Sequence, residues 1–417
     1  MPHVTPEIET FARIKVVGLG GSGGNALNHM VNSKVRGVDF VAINTDAQDL
    51  HRSLAKKRVN IGKNLTRGLG TGMNPELGRR ALEESKEDVQ ESLKGADMVF
   101  ISGGTGGGTF SGASPVAARI AKELGALTVA VVTRPFFFEG QQRSKIAEGA
   151  INDLKKEVDA IIIIPNDRLL SIVEKNTTMK NAFAICDEIL RQAVEGISDL
   201  ITTPGIINID FADVRAVLEN AGSALMGVGS ASGENRATEA ARQAINSPLL
   251  DVSIAGAKGV LFSIAGGEDL TMFEIQDAAK VITESIDKDA KVIFGTIRDD
   301  KLKKNEIRIT VIAAGFPESG KPTNTSRPAQ KTIEDVLPIP QKEEKRRIFN
   351  TLSAREPRES VREPVVPVAP ASIAKEKESV RDITPPIAPK EKIEDKKEKD
   401  DDDWGVVPAF LRRSKLK

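Results

Sequence analysis

The sequence predicts an α/β protein with two folded domains and a disordered tail. Up to about Phe316, apolar runs rich in β-branched residues alternate with amphipathic stretches, which is the pattern of α/β domains. A long amphipathic stretch at 178–201 interrupts that alternation, and beyond Phe316 proline and blocks of Lys and Glu replace the apolar runs. These three observations divide the 417-residue chain into a first domain, a connecting helix, a second domain and a tail.

The charge balance argues against a protein whose main task is to bind nucleic acid or an anionic membrane. The chain has 59 basic and 59 acidic residues and a formal net charge of zero. The single cysteine, Cys186, allows no internal disulfide and is interpreted as a small buried hydrophobic residue in a reducing cytosol. We find no signal-peptide pattern and no run of 18 apolar residues, so we expect no membrane insertion.

The strands predicted in the first domain are apolar on both faces. Such unalternating runs are typical of parallel strands covered by helices on both sides. They lie at 14–18, 39–44, 97–102, 127–133 and 160–165.

The connecting helix and the second domain follow. Helical spacing of Ala182, Ile185, Ile189, Ala193, Ile197 and Leu200 predicts one long packed helix, which Pro204 and Gly205 end. In the second domain, Thr271 and Glu274 have the spacing of a capping box that opens a helix. Strands are predicted around that helix at 259–265, 291–297 and 307–316.

The tail is too polar to offset its ordering entropy, so 317–400 is predicted to be disordered, with a third folded domain as the alternative. At its end, Trp404, Phe410 and Leu411 stand beside a basic cluster. An apolar and basic segment at the tip of a tether suggests a docking peptide; a merely solubilising tail is the alternative.

Three glycine-rich turns point to a phosphate-bearing ligand. Gly18, Gly20 and Gly23 match G-x-G-x-x-G after a strand, a weak signal that a dehydrogenase would also show, since Asp46 follows the second strand closely. A second strand, glycine and helix turn at 102–112, and a third glycine turn at 66–78, add anion cradles that a simple dinucleotide fold lacks. None carries the Walker lysine, so the turns together favour nucleoside triphosphate binding through backbone groups.

A short acidic run in the other half of the chain is the candidate for hydrolysis. Asn208, Asp210 and Asp213 lie close together in sequence, and carboxylates can polarise water or hold it through a cation. A capped helix start is an equally good interpretation of this spacing. Because the run follows the connecting helix, it is not evident that one chain completes the site.

The same motifs carry a family resemblance. They are "GGSGGNALN" (20–28), "NTDAQ" (44–48), "RGLGTGMNPELG" (67–78), "GGGTFSG" (106–112), "TRPFFFEG" (133–140), "PNDRLL" (165–170), "RQAVEGISDLI" (191–201), "NIDFADV" (208–214) and "VPAFLRR" (407–413). In this order they make the chain resemble the FtsZ family, the bacterial tubulin homologues of cell division. The likeness runs over 11–316 and again at the C-terminus.

The resemblance implies a tubulin/FtsZ-like α/β fold and a GTPase that polymerises head to tail into the division (Z) ring. It implies GTP and GDP as substrate and product, Mg²⁺ on the phosphates, a cytoplasmic mid-cell location, and membrane-bound adaptors resembling FtsA that bind the C-terminal peptide. The implied segments are 1–10 flexible, 11–176 GTP-binding domain, 177–203 central helix, 204–316 C-terminal domain, 317–403 disordered linker and 404–417 adaptor-binding peptide.

The family's site residues carry over as follows. Asp210, Asp213 and Asn208 would act on the neighbouring subunit's GTP. The nucleotide contacts would be Gly20, Gly21, Gly24, Asn25, Asn44, Gly70, Gly72, Met73, Gly106, Gly107, Gly108, Thr109, Glu139, Arg143, Asn166, Phe183 and Asp187, and no residue is assigned as a metal ligand. Among them, Phe183 would stack on guanine, and the Asp187 carboxylate would accept from the guanine N1–H and N2–H₂, a pair that adenine lacks.

Phe110 departs from the family pattern, which has glycine there, and Thr105, Ser22 and Ser111 are smaller departures. Glycine at such a position usually marks a positive φ or a close backbone approach, both unfavourable to a large side chain, so the ring either turns away at a cost of about 1–2 kcal/mol or distorts the cradle. Phe110→Gly is therefore expected to tighten GTP binding or raise turnover. A filament scaffold with weak or no GTPase activity is the alternative.

The dehydrogenase interpretation lacks an evident catalytic base, because His3, His29 and His51 are scattered and His29 is expected to be an ordinary polar residue.

Overall fold

The computed structural model describes residues 12–170, 177–203, 205–247, 254–299 and 302–316, all within one compact unit. The predictions for 1–10, for 317–403 and for 404–417 lie outside the described residues, as does Pro204. No helix within the described ranges is long and apolar enough to span a bilayer.

The described strands form one ten-stranded sheet in the order β3-β2-β1-β4-β5-β6-β7-β10-β8-β9. The first seven in that order run parallel, whereas β10 is antiparallel to both of its neighbours, β7 and β8. Their bounds are β1 (Ile14–Leu19), β2 (Val38–Asn44), β3 (Lys57–Asn60), β4 (Met98–Gly104), β5 (Leu127–Arg134), β6 (Ala160–Pro165), β7 (Gly222–Ser232), β8 (Gly259–Gly266), β9 (Lys291–Arg298) and β10 (Glu306–Ala314).

Twelve α-helices connect these strands within the described residues, and a 3₁₀ turn at Phe137–Glu139 precedes the seventh. They are α1 (Gly20–Asn32), α2 (Ala47–His51), α3 (Lys63–Thr66), α4 (Pro75–Glu84), α5 (Lys86–Leu93), α6 (Gly108–Glu123), α7 (Gln141–Glu157), α8 (Asn166–Leu170), α9 (Met179–Thr202), α10 (Phe211–Leu218), α11 (Arg236–Ile245) and α12 (Met272–Thr283).

The core lies on both faces of the sheet. One cluster packs α1, α9 and α10 against one face, a second packs α4, α5, α6 and α7 against the other, and a third fills the second domain under α11 and α12. The strands of the first domain are therefore buried on both sides, which explains why their sequences do not alternate. The six apolar positions predicted along α9 are all buried.

Two features of the second half were not predicted from the sequence. The sheet continues across the domain junction, since β6 pairs with β7 at Ala160 and Gly222, so α9 is not the sole connection between the halves. Strand β7 itself was missed because it is rich in glycine, which disfavours strand prediction. Its glycines allow close packing: a Cβ at Gly227 would lie 1.9 Å from the carbonyl oxygen of Ala244, and one at Gly229 would lie 2.1 Å from that of Ala240.

Candidate functional site

The residues predicted to contact nucleotide lie at one edge of the sheet. Asn44 ends β2, Gly20 follows β1, Gly106 follows β4, Glu139 follows β5 and Asn166 follows β6. These five strands are neighbours and run parallel, so all five residues stand at their carboxyl ends. Ligands of open α/β sheets bind at this edge.

Two helix N-termini open toward that edge. Gly20 begins α1 with a φ of +68°, and α6 begins at Gly108 after Gly107. Neither helix has a side-chain cap or an acidic residue in its first turn. The amide N–H groups there remain available for an anion, which the helix dipoles also favour. A hydrogen bond from the Gly104 N–H to Ser22 Oγ, 2.8 Å long, fixes the two turns relative to each other.

The Thr109 side chain joins three loops beneath this cradle. Its hydroxyl is hydrogen-bonded to the hydroxyl of Thr45 at 3.0 Å and to that of Thr71 at 3.3 Å. Gly108 beside it lies so close to the third loop that a Cβ would sit 2.6 Å from the Asn74 nitrogen. The Thr109 side chain is therefore engaged in holding the loops together, and its backbone N–H is the group left for a ligand.

The third loop has an unusual backbone. Arg67, Gly68, Gly72 and Met73 all have positive φ values, and two of them are not glycine. A left-handed backbone is uncommon at residues other than glycine. Such strained positions cluster at functional sites. Around Gly70 and Gly72 there is open space where a Cβ would point. The loop thus presents bare backbone on the side of the cradle.

A carboxylate that the sequence motifs did not single out lies beside the first turn. Asp49 Oδ2 accepts from Asn44 Nδ2 at 2.8 Å, and a Cβ built on Gly21 or Gly24 would lie 3.5 or 3.7 Å from it. Burial, followed by the charge of Asp46, raises the pKa of Asp49. The position of this carboxylate beside Gly21 and Gly24 depends on the packing of α2 against α1, which no local sequence pattern reveals. Asn25 is exposed on the same turn.

Aromatic side chains lie at the other end of this sheet edge. The Phe183 ring stands edge-on to Phe136 with a centroid distance of 5.4 Å, and Phe136 stacks on Phe138 at 5.0 Å. Glu139 accepts from the Phe136 N–H at 3.0 Å and pairs with Arg143. These contacts hold Phe183 in a fixed orientation near the start of α9, with its ring partly open to solvent.

Asn166 carries an unused acceptor at this end. Its side chain is 4% exposed, and among the described residues no group donates to its Oδ1. Buried acceptors of native proteins usually have partners, so an unpartnered one at a sheet edge suits a ligand donor.

The acidic run forms the start of α10. Asp210 precedes the helix, and its N–H donates to Asp213 Oδ2 at 3.4 Å in a capping-box arrangement. Asn208 Oδ1 accepts from the Gly205 N–H at 2.7 Å and so fixes the loop. Both carboxylates are exposed. The capped helix start and the solvent-facing acidic pair are therefore two aspects of one structure.

This acidic loop lies at the opposite edge of the sheet. At the end of α9, Gly37, just before β2, approaches so closely that a Cβ would sit 2.5 Å from Thr202 Oγ1. In α10, Arg215 donates to the carbonyl oxygen of Gly125, just before β5, at 3.4 Å. Both contacts are at the amino ends of parallel strands. From Phe183 to Thr202, α9 rises about 29 Å at 1.5 Å per residue. The fold does not bring the acidic run and the glycine turns of one chain together.

Comparison with known proteins decides the family. The GTPase domain of the Tubulin/FtsZ family matches residues 13–174, and the C-terminal domain of the FtsZ family matches 222–317. An empty FtsZ dimer from M. jannaschii is 46% identical with a TM-score of 0.71 over 74% of this chain and 89% of its own. The chain belongs to the Tubulin/FtsZ family. It is a filament-forming GTPase with the fold of that family.

Further relatives match over similar spans. A mutant of the M. jannaschii FtsZ is also 46% identical, with a TM-score of 0.71 over 74% of this chain and 92% of its own. A GTPγS-bound protofilament of CetZ2 from Haloferax volcanii is 22% identical, with a TM-score of 0.64 over 74% of this chain and 94% of its own. At that identity the CetZ likeness concerns the fold alone.

Within this family fold, Asp187 has an unusual ionisation. Burial raises the pKa of its carboxyl to about 7, and the nearby His29 acts in the opposite direction. A carboxylate that accepts from guanine must be ionised. The carboxyl group predicted to contact the base therefore changes between its neutral and ionised forms near neutral pH. Its neighbour Cys186 is buried, as expected, and burial raises the pKa of its thiol.

We expect Asp187→Asn to stabilise the nucleotide-free protein at pH 8. The folded pKa lies above the ordinary value of 3.8, so the carboxyl's contribution to stability is present below that value and is lost as pH rises through about 7. The neutral amide escapes the cost of burying a charge. Urea unfolding should give a higher midpoint for the variant at pH 8 and a shrinking difference toward pH 5. The exposed Asp153→Asn is the control, and a difference that does not change with pH contradicts the expectation.

The structure removes the premise on which Phe110 was expected to disturb the cradle. Phe110 is the third residue of α6, its φ is not positive, and its ring is 2% exposed in the core cluster below the loop. The expected backbone strain was wrong, because this position of the motif is helical. The other departures have roles too: Ser111 Oγ accepts from the Gly106 N–H at 3.0 Å, and Thr105 Oγ1 donates to the Thr133 carbonyl at 2.7 Å.

Proposed function

We propose that this protein assembles head to tail and hydrolyses GTP between successive subunits, as the filament of a division ring. One observation carries the proposal. The glycine turns and the acidic loop lie at opposite edges of the same sheet, so a second copy stacked along the strand direction would bring its acidic loop over the first copy's cradle. The 46%-identical FtsZ that is described as a dimer supports such self-association.

The two edges would divide the chemistry. The N-termini of α1 and α6 supply backbone donors and dipoles for the phosphates. Negative charge is concentrated on these groups during phosphoryl transfer. Asp210 and Asp213 of the next subunit would polarise the attacking water. Since the cradle offers dipoles rather than a Walker lysine, Mg²⁺ on the phosphates would supply the missing positive charge. Within the described residues, no group of three or more His, Cys, Asp or Glu side chains is arranged to hold a metal by itself.

Exposed apolar residues mark both candidate contact surfaces. Leu69 is 67% exposed on the third glycine loop, and Ile206 is 81% exposed on the loop that carries Asn208. Removing such exposed apolar side chains from water on association favours binding. We expect Ile206→Glu to raise the protein concentration needed for assembly by about tenfold or more, which corresponds to at least about 1.4 kcal/mol, while leaving GTP binding unchanged.

Phosphate release measured against protein concentration tests the proposal. The expected result is turnover that begins above a threshold concentration, a threshold shifted upward by Ile206→Glu, and loss of turnover when EDTA removes Mg²⁺. Val292→Glu, another exposed apolar residue of the second domain, is the matched control. Turnover per subunit that is constant at all concentrations would contradict hydrolysis between subunits. Filaments that pellet without releasing phosphate would instead favour the scaffold alternative.

Guanine recognition forms a separable part of the proposal. Phe183 would stack on the base, the Asp187 carboxylate would accept from the two guanine donors, and Asn166 Oδ1 would accept from the ligand. Competition between GDP and IDP tests it, because hypoxanthine lacks the 2-amino group. Asp187→Asn should lose the preference for GDP over IDP; an unchanged preference would overturn this base contact.

We further propose that the C-terminal segment, 404–417, links the filaments to membrane-bound adaptors resembling FtsA at the division site in the cytoplasm. The apolar and basic composition of the segment and the long polar stretch of sequence that precedes it support this role. Many tails on one filament would give avidity. Deleting 404–417 should leave turnover intact and abolish recruitment to the division site; retained recruitment contradicts the role.

A further inference from the structure

The Ser22 hydroxyl lies between the first two glycine turns of the cradle. Ser22 is the third residue of α1, and its side chain is exposed at the helix N-terminus. Its Oγ accepts from the N–H of Gly104, the last residue of β4, at 2.8 Å. A Cβ built on Gly104 would lie 3.0 Å from this Oγ and 3.2 Å from Thr133 Oγ1, so the hydroxyl packs closely against the backbone of the second turn. Ser22 departs from the family pattern, and the sequence motifs therefore did not assign it a contact.

The hydrogen of this hydroxyl is available to a ligand. A serine hydroxyl can accept hydrogen bonds and donate one. The Ser22 oxygen accepts from Gly104, and no group among the described residues accepts the hydroxyl's own hydrogen. Because the side chain is exposed at the N-terminus of α1, where the helix dipole favours negative charge, a bound anion is the acceptor that this position suits.

Three other hydroxyl groups of the second turn are engaged inside the protein. Thr109 is hydrogen-bonded to two threonines of other loops, Ser111 accepts from a backbone N–H of its own loop, and Thr105 donates to a carbonyl oxygen of β5. All three are buried, whereas Ser22 is exposed. Of these four hydroxyl groups, the Ser22 hydroxyl is the one placed to contact a ligand.

We propose that Ser22 binds a phosphate of the nucleotide through its side chain: the Gly104 N–H donates to Ser22 Oγ, and the Ser22 O–H donates to a phosphate oxygen. A hydrogen bond to a charged acceptor is stronger than one between neutral groups, and a hydroxyl that already accepts a hydrogen bond becomes a better donor. The inference rests on the phosphate binding proposed for this cradle. It adds a side-chain donor to a cradle whose other proposed phosphate donors are backbone N–H groups.

Two substitutions of Ser22 should differ in a specific order. Ser22→Ala removes the donor and keeps the Cβ, which lies 3.3 Å from the position that a Cβ on Gly104 would take. The methyl group therefore stays beside Gly104 and hinders access to its N–H, so GDP binding should weaken about tenfold or more. Ser22→Gly leaves that N–H open to a water molecule or a phosphate oxygen, so the loss should be only about threefold.

This order distinguishes phosphate binding from a purely structural role. If Ser22 only held the two turns together, glycine would be the more damaging change. It lacks the same hydrogen bond as alanine, and it also makes the first turn of α1 more flexible. Tighter GDP binding by Ser22→Ala than by Ser22→Gly would therefore overturn the inference.

The test is calorimetric titration of the nucleotide-free full chain with GDP, which avoids the turnover that GTP would bring. Ser232→Ala, the same change at an exposed serine at the end of β7, is the control and should bind as the wild type does. Urea unfolding of each nucleotide-free variant measures any loss of stability separately. Ser22→Ala should keep the preference for GDP over IDP, because the change lies at the phosphate end. A lost preference would show that the change disturbs the whole site, and it would overturn the inference.

The outcomes separate this inference from the function on which it rests. If the wild type binds GDP no more tightly than guanosine, the cradle does not hold phosphate, and the proposed function fails together with the inference. If the wild type prefers GDP to guanosine but Ser22→Ala binds GDP equally well, the phosphate site stands and only the role of the Ser22 hydroxyl is overturned.

Discussion

Asp210→Asn should abolish GTP turnover, by at least about a hundredfold, while the monomer still binds GTP. The exposed carboxylate at the start of α10 lies at the sheet edge opposite the glycine turns, so its loss leaves its own chain's cradle intact. Asparagine remains a good N-cap, so α10 should keep its stability. Phosphate release above the assembly threshold and GTP binding below it are the two measurements.

The control lies at the other end of the same helix. Glu219→Gln removes an exposed carboxylate at the C-terminus of α10 and should leave turnover unchanged. If Asp210→Asn lowers GTP binding and turnover in the same proportion, the residue belongs to the binding site rather than to the hydrolytic step.

Mixing two inactive variants distinguishes hydrolysis between subunits from hydrolysis within one. Asp210→Asn has an intact cradle, whereas Asp187→Asn has an intact acidic loop and a weakened base contact. At a GTP concentration that fills only the first, either variant alone should be nearly inactive. Their mixture should recover part of the turnover, because some contacts pair a filled cradle with a working loop. A mixture no more active than its components contradicts a shared site.

Local sequence patterns predicted much of the fold. The physical reasons for these correct predictions also explain which elements and contacts were missed. Strands β1, β2, β4, β5 and β6 were predicted because a parallel sheet covered on both faces needs continuous apolar runs. The glycine-rich β7 was missed because its glycines serve the approach of α11, a tertiary requirement. Asp49 was missed because its position beside Gly21 and Gly24 depends on the packing of α2 against α1, and the contact between His29 and Glu188 was missed because these two residues lie on different helices.

The glycine motif misled at Phe110 for a different reason. A glycine in a family motif can reflect a positive φ, or it can reflect a lack of space, and sequence alone does not distinguish the two. In this chain, Gly20 and Gly106 have positive φ values, whereas Phe110 is helical and its ring fills space above Gly103. The glycine backbone of this turn therefore faces the cradle, whereas the Phe110 ring lies on the other side, in the core.

Phe110→Gly should therefore destabilise the protein by about 4–6 kcal/mol instead of simply improving its site. The estimate combines about 3–5 kcal/mol for removing a buried phenylalanine with about 1 kcal/mol for glycine inside a helix. The ring belongs to a buried core cluster that also includes Leu19, Ile101 and Val132. Urea unfolding of the nucleotide-free chain measures the effect. Phe110→Leu, which keeps most of the apolar volume, should lose far less and bind GTP as the wild type does.

A double-mutant cycle with Gly103 tests the proposed packing directly. A Cβ at Gly103 would lie 2.4 Å from Phe110 Cδ2, so Gly103→Ala alone should cost about 1–3 kcal/mol by overpacking. In a Phe110→Ala background the same methyl group enters a vacated space, and its cost should fall or change sign. Residues in contact show such coupling, whereas independent sites give additive effects. Additive free energies would mean that Phe110 and Gly103 do not share this space, and the strain of a large side chain in the glycine turn would again have to be considered.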